Sequence, residues 1–106
     1  MESNEFDLIG WMRNKTVELI KQISEYQGIE FDKNKAIEYL GQTNRARYAQ
    51  IIKQVREEQE EADKSAFGMI PSMRSQIFQV NLTHAMLQYA KEVLNHAKIN
   101  QEATIV

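Results

Sequence analysis

From Pro71 to Lys98 the chain runs for 28 residues with no Gly and no second Pro, a length only a helix accommodates comfortably. Pro71 suits the first turn and Ser72 a cap. At about 100° per residue, Asn81, His84, Gln88, Lys91 and Asn95 gather on one narrow stripe, and nearly everything else is apolar. Met73, Ile77, Val80, Leu87 and Leu94 form one flank. Phe78, Leu82, Ala85, Tyr89 and Val93 form the other, with Met86, Ala90 and Ala97 joining them at the back. A surface helix needs only a modest apolar stripe. This breadth therefore calls for a central place among several helices, or for a second face kept for a partner.

The rest of the chain has to supply those helices, and it carries one Pro and four Gly in 106 residues, too few for the turns of a compact all-β protein. At 42% hydrophobic residues it is long enough for one core and too short for two, so a single domain over 1–106 is expected. Gly28, Gly41 and Gly68 fall where periodic patterns end, as helix C-caps do. In the first piece, Asn4 or Ser3 can cap a helix on which Leu8, Ile9, Met12, Leu19, Ile20, Ile23 and Tyr26 recur at helical spacing, with Trp11 half-buried at the margin. Asp32 can cap a short second helix carrying Ala36, Ile37, Tyr39 and Leu40 and closed by Gly41. A third helix opening at Thr43 or Asn44 has Tyr48, Ile52, Val55, Gln59, Ala62 and Ala66 as its seam. One unbroken helix from Asp32 to Ala66 is the competing arrangement, since an isolated Gly costs only about 1 kcal/mol relative to Ala. The expected fold is all-α: a small antiparallel helical bundle of three long helices plus one short corner helix, with a tail frayed from about residue 99.

Several chemistries are disfavoured. Without cysteine there is no disulfide, thiolate nucleophile or iron–sulfur site. Two His and no Gly-rich serine elbow leave no local basis for a nucleophilic triad, and four scattered Gly build no phosphate-cradling loop. A carboxylate-bridged metal centre would need inward-facing Glu-x-x-His pairs on two helices. Only Glu92 and His96 approach that form, at a spacing of four, while Glu57, Glu58, Glu60, Glu61 and Asp63 flank the seam as a solvated face. His84 reads as a surface residue and His96 as a core-margin one. No enzyme, cofactor or metal is therefore expected. The acidic start MESNEFD does not resemble a secretory signal, and no stretch is long and apolar enough to span a bilayer, so a cytoplasmic protein without a membrane partner is expected.

The net charge of -2 hides a strong polarity. Residues 32–56 hold six bases (Lys33, Lys35, Arg45, Arg47, Lys53, Arg56) against Asp32 and Glu38, and residues 57–63 follow with five acids and no base. Such blocks allow copies of the chain to lay the basic half of one helix against the acidic half of another. The segment Lys35–Gln54 also resembles a helix-turn-helix, with Gly41 in the turn and Thr43, Asn44, Arg45 and Arg47 opening the second helix, which implies phosphate and base-edge contacts to DNA. It departs from that pattern at Arg47, where the second helix would bury an aliphatic residue. Finally, Thr104-Ile105-Val106 resembles the C-terminal form taken by PDZ-type domains, a pattern short enough to arise often by chance.

The function expected from these features is non-enzymatic binding by a homo-oligomer, acting as a regulator, adaptor or inhibitor on another protein or a small ligand. Phe78, Leu82, Tyr89 and Val93 would then contribute the partner surface if the Met73 flank makes the core, with the two flanks open to exchange. The alternative is a DNA-binding regulator using Thr43, Asn44, Arg45 and Arg47.

Overall fold

A computed structural model describes residues 7–65 and 71–99. It is all-α, with three helices: α1 (Leu8–Gln27), α2 (Lys33–Ser65) and α3 (Pro71–Ala97). The suggested caps at Ser3 and Asn4, the C-cap at Gly68, the tail from residue 100 and the terminal Thr104-Ile105-Val106 lie outside the described residues, as do the side chains of Ala62, Ser72 and Met73.

α1 starts one turn later than the sequence suggests. Asp7 is its N-cap, the carboxylate accepting from the Gly10 N–H at 3.0 Å. A Cβ at position 10 would displace that carboxylate from its present position. The other end closes as expected: Gly28 adopts φ 66 and returns its N–H to the Ser24 carbonyl, a left-handed cap that favours glycine. Asp32 then caps α2, its side chain accepting from the Asn34 N–H at 2.9 Å and its carbonyl from the Ala36 N–H.

The short corner helix is not there, because α2 runs without interruption through Gly41 for 33 residues. Gly41 keeps an ordinary helical φ, and its Cα faces open space, so nothing requires a turn at that point. The propensity cost of about 1 kcal/mol is set against Leu40, Tyr48, Ile51 and Val55, which share one buried stripe only if the helix continues.

α3 makes its principal contacts with both other helices, whereas α1 touches α2 far less. The core is built from Met12, Leu19, Ile20 and Ile23 of α1, Leu40, Tyr48, Ile51 and Val55 of α2, and Leu82, Met86, Tyr89, Ala90, Val93 and Leu94 of α3. The α3 core is therefore drawn from both flanks, chiefly from the one that the first expectation gave to a partner. Leu82, Tyr89 and Val93 are buried, while Val80, assigned to the core flank, is 65% exposed. Leu94 is buried with them, and Ile77 and Leu87 are intermediate. The two flanks are similarly apolar, and the position of α1 decides between them.

The connector between α1 and α2 is tied to the end of α3. The Asp32 N–H donates to the Ala97 carbonyl and the Ile99 N–H to the Glu30 carbonyl, each at 2.9 Å, with Phe31 and Lys98 facing each other in an antiparallel bridge. This clamp fixes Phe31 relative to all three helices.

Candidate functional site

The α2–α3 seam is sealed by polar side chains. Arg47 grips Glu92 through both terminal guanidinium nitrogens, at 2.7 and 2.9 Å, and the Tyr39 hydroxyl donates to the same carboxylate. One turn on, the Thr43 hydroxyl donates to the Tyr39 carbonyl at 2.7 Å, which leaves the Tyr89 hydroxyl as donor to Thr43. The Arg47 guanidinium lies 5.2 Å from the Tyr89 ring centroid, and His96 stacks on Tyr39 at 4.1 Å. Tyr48 meets Tyr89 edge to face at 5.5 Å and reaches across to α1, donating to Thr16, which in turn donates to the Met12 carbonyl. The Glu92 hydrogen bond, followed by burial, raises the Tyr39 hydroxyl above its ordinary pKa. Burial does the same for Tyr48 and Tyr89.

This network absorbs most of the residues singled out for other roles. Leu82, Tyr89 and Val93 are core, and Phe78 packs against it partly buried, so these four do not form an open partner surface. Of the DNA-reading set, Arg45 is exposed, Arg47 is held by Glu92, Thr43 is bonded within the seam, and Asn44 is 8% exposed with its amide donating to the Leu40 carbonyl at 2.7 Å. The continuous α2 also removes the turn on which the helix-turn-helix resemblance rests. His84 and His96 are both exposed, and among the described residues no group of three or more His, Asp or Glu converges as metal ligands would. Asn44 Oδ1 is buried without a hydrogen-bond partner.

The α1–α2 side is different. Because α1 leans on α3, its far edge stands away from the first turns of α2, leaving a groove of about 250 Å³ lined by Val17, Ile20, Lys21, Phe31, Lys33, Ala36, Ile37 and Leu40. Ile20, Ala36 and Leu40 form its buried floor. Val17 and Ile37 stand on its walls, 51% and 67% exposed. The lining contains two ammonium groups and no acid, and both lie toward the connector: Lys21 in the last two turns of α1, Lys33 at the first residue of α2. Phe31, held by the clamp to α3, closes that end. In sequence, Ile37 stands among the apolar residues of the expected short helix, and Val17 belongs to none of the apolar stripes. The available signal was two aliphatic residues lying just off otherwise buried stripes.

A second cleft, of about 290 Å³, lies between α2 and α3. It is lined mainly by polar side chains, Gln50, Gln54 and Glu58 facing Asn81, His84 and Gln88. It offers amides and no convergent charge, and Arg47 at its edge is already engaged by Glu92. Among the described residues, no helix is long and apolar enough to cross a membrane. Comparison of the chain with protein-family models, curated proteins and solved structures finds no match.

Proposed function

We propose that this chain is a non-enzymatic helical-bundle binding protein that assembles with itself and acts as a regulator, adaptor or inhibitor through the α1–α2 groove. The observation that carries this is the pair Val17 and Ile37, large aliphatic side chains held in water on the two walls of an apolar groove whose floor is already packed. Covering both would remove apolar surface from water, a gain that a bound partner can realise. Groups able to do chemistry are instead consumed by structure, since Glu92, Arg47 and the tyrosine hydroxyls hydrogen-bond one another. Contacts that advance along α2 from Tyr39 to Arg47 and Glu58 retreat along α3 from His96 to Tyr89 and Asn81, which supports an antiparallel bundle.

Self-assembly is supported by charge. Glu57, Glu58, Glu60 and Glu61 form an exposed acidic row on the second half of α2, and its first turns carry Lys33 and Lys35. Two measurements test the proposal. Light scattering at tens of micromolar should give a mass above one chain at low salt that falls as salt is added; a monomer under every condition contradicts self-assembly. The anionic apolar dye anilinonaphthalene sulfonate should bind the native chain and lose that binding when Val17 and Ile37 are both changed to Ser. Absence of dye binding contradicts the groove's role.

A further inference from the structure

The groove's shape and charge narrow what it takes. Its α2 wall, Lys33 to Leu40, is about two helical turns or about 11 Å long. That matches the i, i+3/i+4, i+7 anchors an amphipathic helix lays into a groove. An aliphatic ligand of small molecular weight would be poorly covered, because such sites enclose most of their ligand and here both walls stand open, with Val17 and Ile37 more than half exposed. A helix brings its own polar back and needs no lid. The charges are asymmetric as well: Lys21 and Lys33 both line the groove toward the connector end, and no acid is among its lining residues. An occupant therefore gains by placing carboxylates at that end, and a helix C-terminus, already the negative end of the helix dipole, gains most.

Building on the binding function above, we propose that the α1–α2 groove docks a short amphipathic helix of another protein, its apolar anchors on Val17, Ile20, Ile37 and Leu40 and its acidic C-terminal end between Lys21 and Lys33.

The experiment titrates the full chain into two fluorescein-labelled helical peptides of about 14 residues. Both have leucines at i, i+3 and i+7; one ends in three Glu and the other in three Lys. Anisotropy should show the Glu peptide binding at least about tenfold more tightly than the Lys peptide at low salt. Val17→Ser with Ile37→Ser should abolish binding of both peptides, Lys21→Glu with Lys33→Glu should invert the preference, and Val80→Ser on α3 should change nothing. Circular dichroism verifies that each variant keeps its helix content. Equal binding of the two peptides, or binding that survives the groove substitutions, overturns the proposal. So does a wild-type dimer that becomes monomeric on Val17→Ser with Ile37→Ser, since the occupant is then a second copy. Dye binding without peptide binding removes the helix partner and leaves the wider function standing. Loss of both removes the two together.

Discussion

The two seams that α2 makes with its neighbours are built on opposite plans. Against α3 it is locked, with Glu92 bound by Arg47 and Tyr39, Tyr89 bonded to Thr43, and Tyr48 wedged edge-on against Tyr89, while farther along, the Tyr48 hydroxyl also ties α2 to Thr16 of α1. Against α1, at its first turns, it is apolar and unsealed, with Val17 and Ile37 more than half exposed on the walls of the groove. The contrast teaches where rigidity and where adaptability sit in this fold. Hydrogen bonds between side chains fix register and leave nothing over for a ligand. Apolar walls with a gap between them have a free-energy gain still to be realised by whatever fills the gap.

Substitutions should therefore affect the two seams unequally. The largest effect belongs to Tyr89, fully buried at the centre of the locked seam: Tyr89→Ala should cost about 3–5 kcal/mol in chemical denaturation, by analogy with other large aromatic truncations. Alkaline pH attacks the same seam without a substitution. The hydroxyls of Tyr39, Tyr48 and Tyr89 have folded pKa values above the ordinary 10, so the folded state holds their protons more tightly than the unfolded chain does. Their contribution to stability is intact below about pH 10 and is lost as pH rises through the raised folded values. Absorbance at 295 nm followed alongside ellipticity should show these tyrosinates forming together with unfolding. If they form while the helices persist, the seam is looser than described.

Glu92→Ala removes two partners at once but from a partly exposed site, so a loss of about 1–2 kcal/mol is expected. Gly41→Ala works in the other direction: inside a continuous helix with open space at its Cβ, it should stabilise by about 1 kcal/mol. A destabilisation there would mean that α2 breaks at residue 41. The smallest effect sharpens the comparison most. Ile37→Ser, on the wall of the open groove, should change stability by no more than about 0.5 kcal/mol, whereas an equally large aliphatic in the locked seam could not be replaced so cheaply.

Local chemistry made much of the fold legible beforehand. The left-handed cap at Gly28, the Asp32 cap, the Tyr48 and Val55 seam and the polar stripe through His84 each follow from a few neighbouring residues. What the sequence obscured depended on distant partners. Gly41 reads as a helix end because a glycine's local cost is visible, while the buried stripe that outweighs it is distributed from Leu40 to Val55. Phe78, Leu82, Tyr89 and Val93 read as a partner surface because hydropathy cannot say on which side α1 lies. Arg47 read as a DNA contact because its carboxylate partner is 45 residues away. The groove was the least legible feature. It exists because α1 leans on α3 and because the 30–32 connector is clamped to residues 97–99, and no local pattern encodes either fact.

The central claim is that the open seam, and not the locked one, is the working surface. Mapping amide and methyl chemical shifts of the isotopically labelled chain during titration with the Glu-ended helical peptide tests it most directly. The predicted result is a cluster of changes at Val17, Ile20, Phe31, Ala36, Ile37 and Leu40, with Tyr89 and Val93 unmoved. Changes concentrated instead along Gln50, Gln54, Asn81 and Gln88 would contradict it.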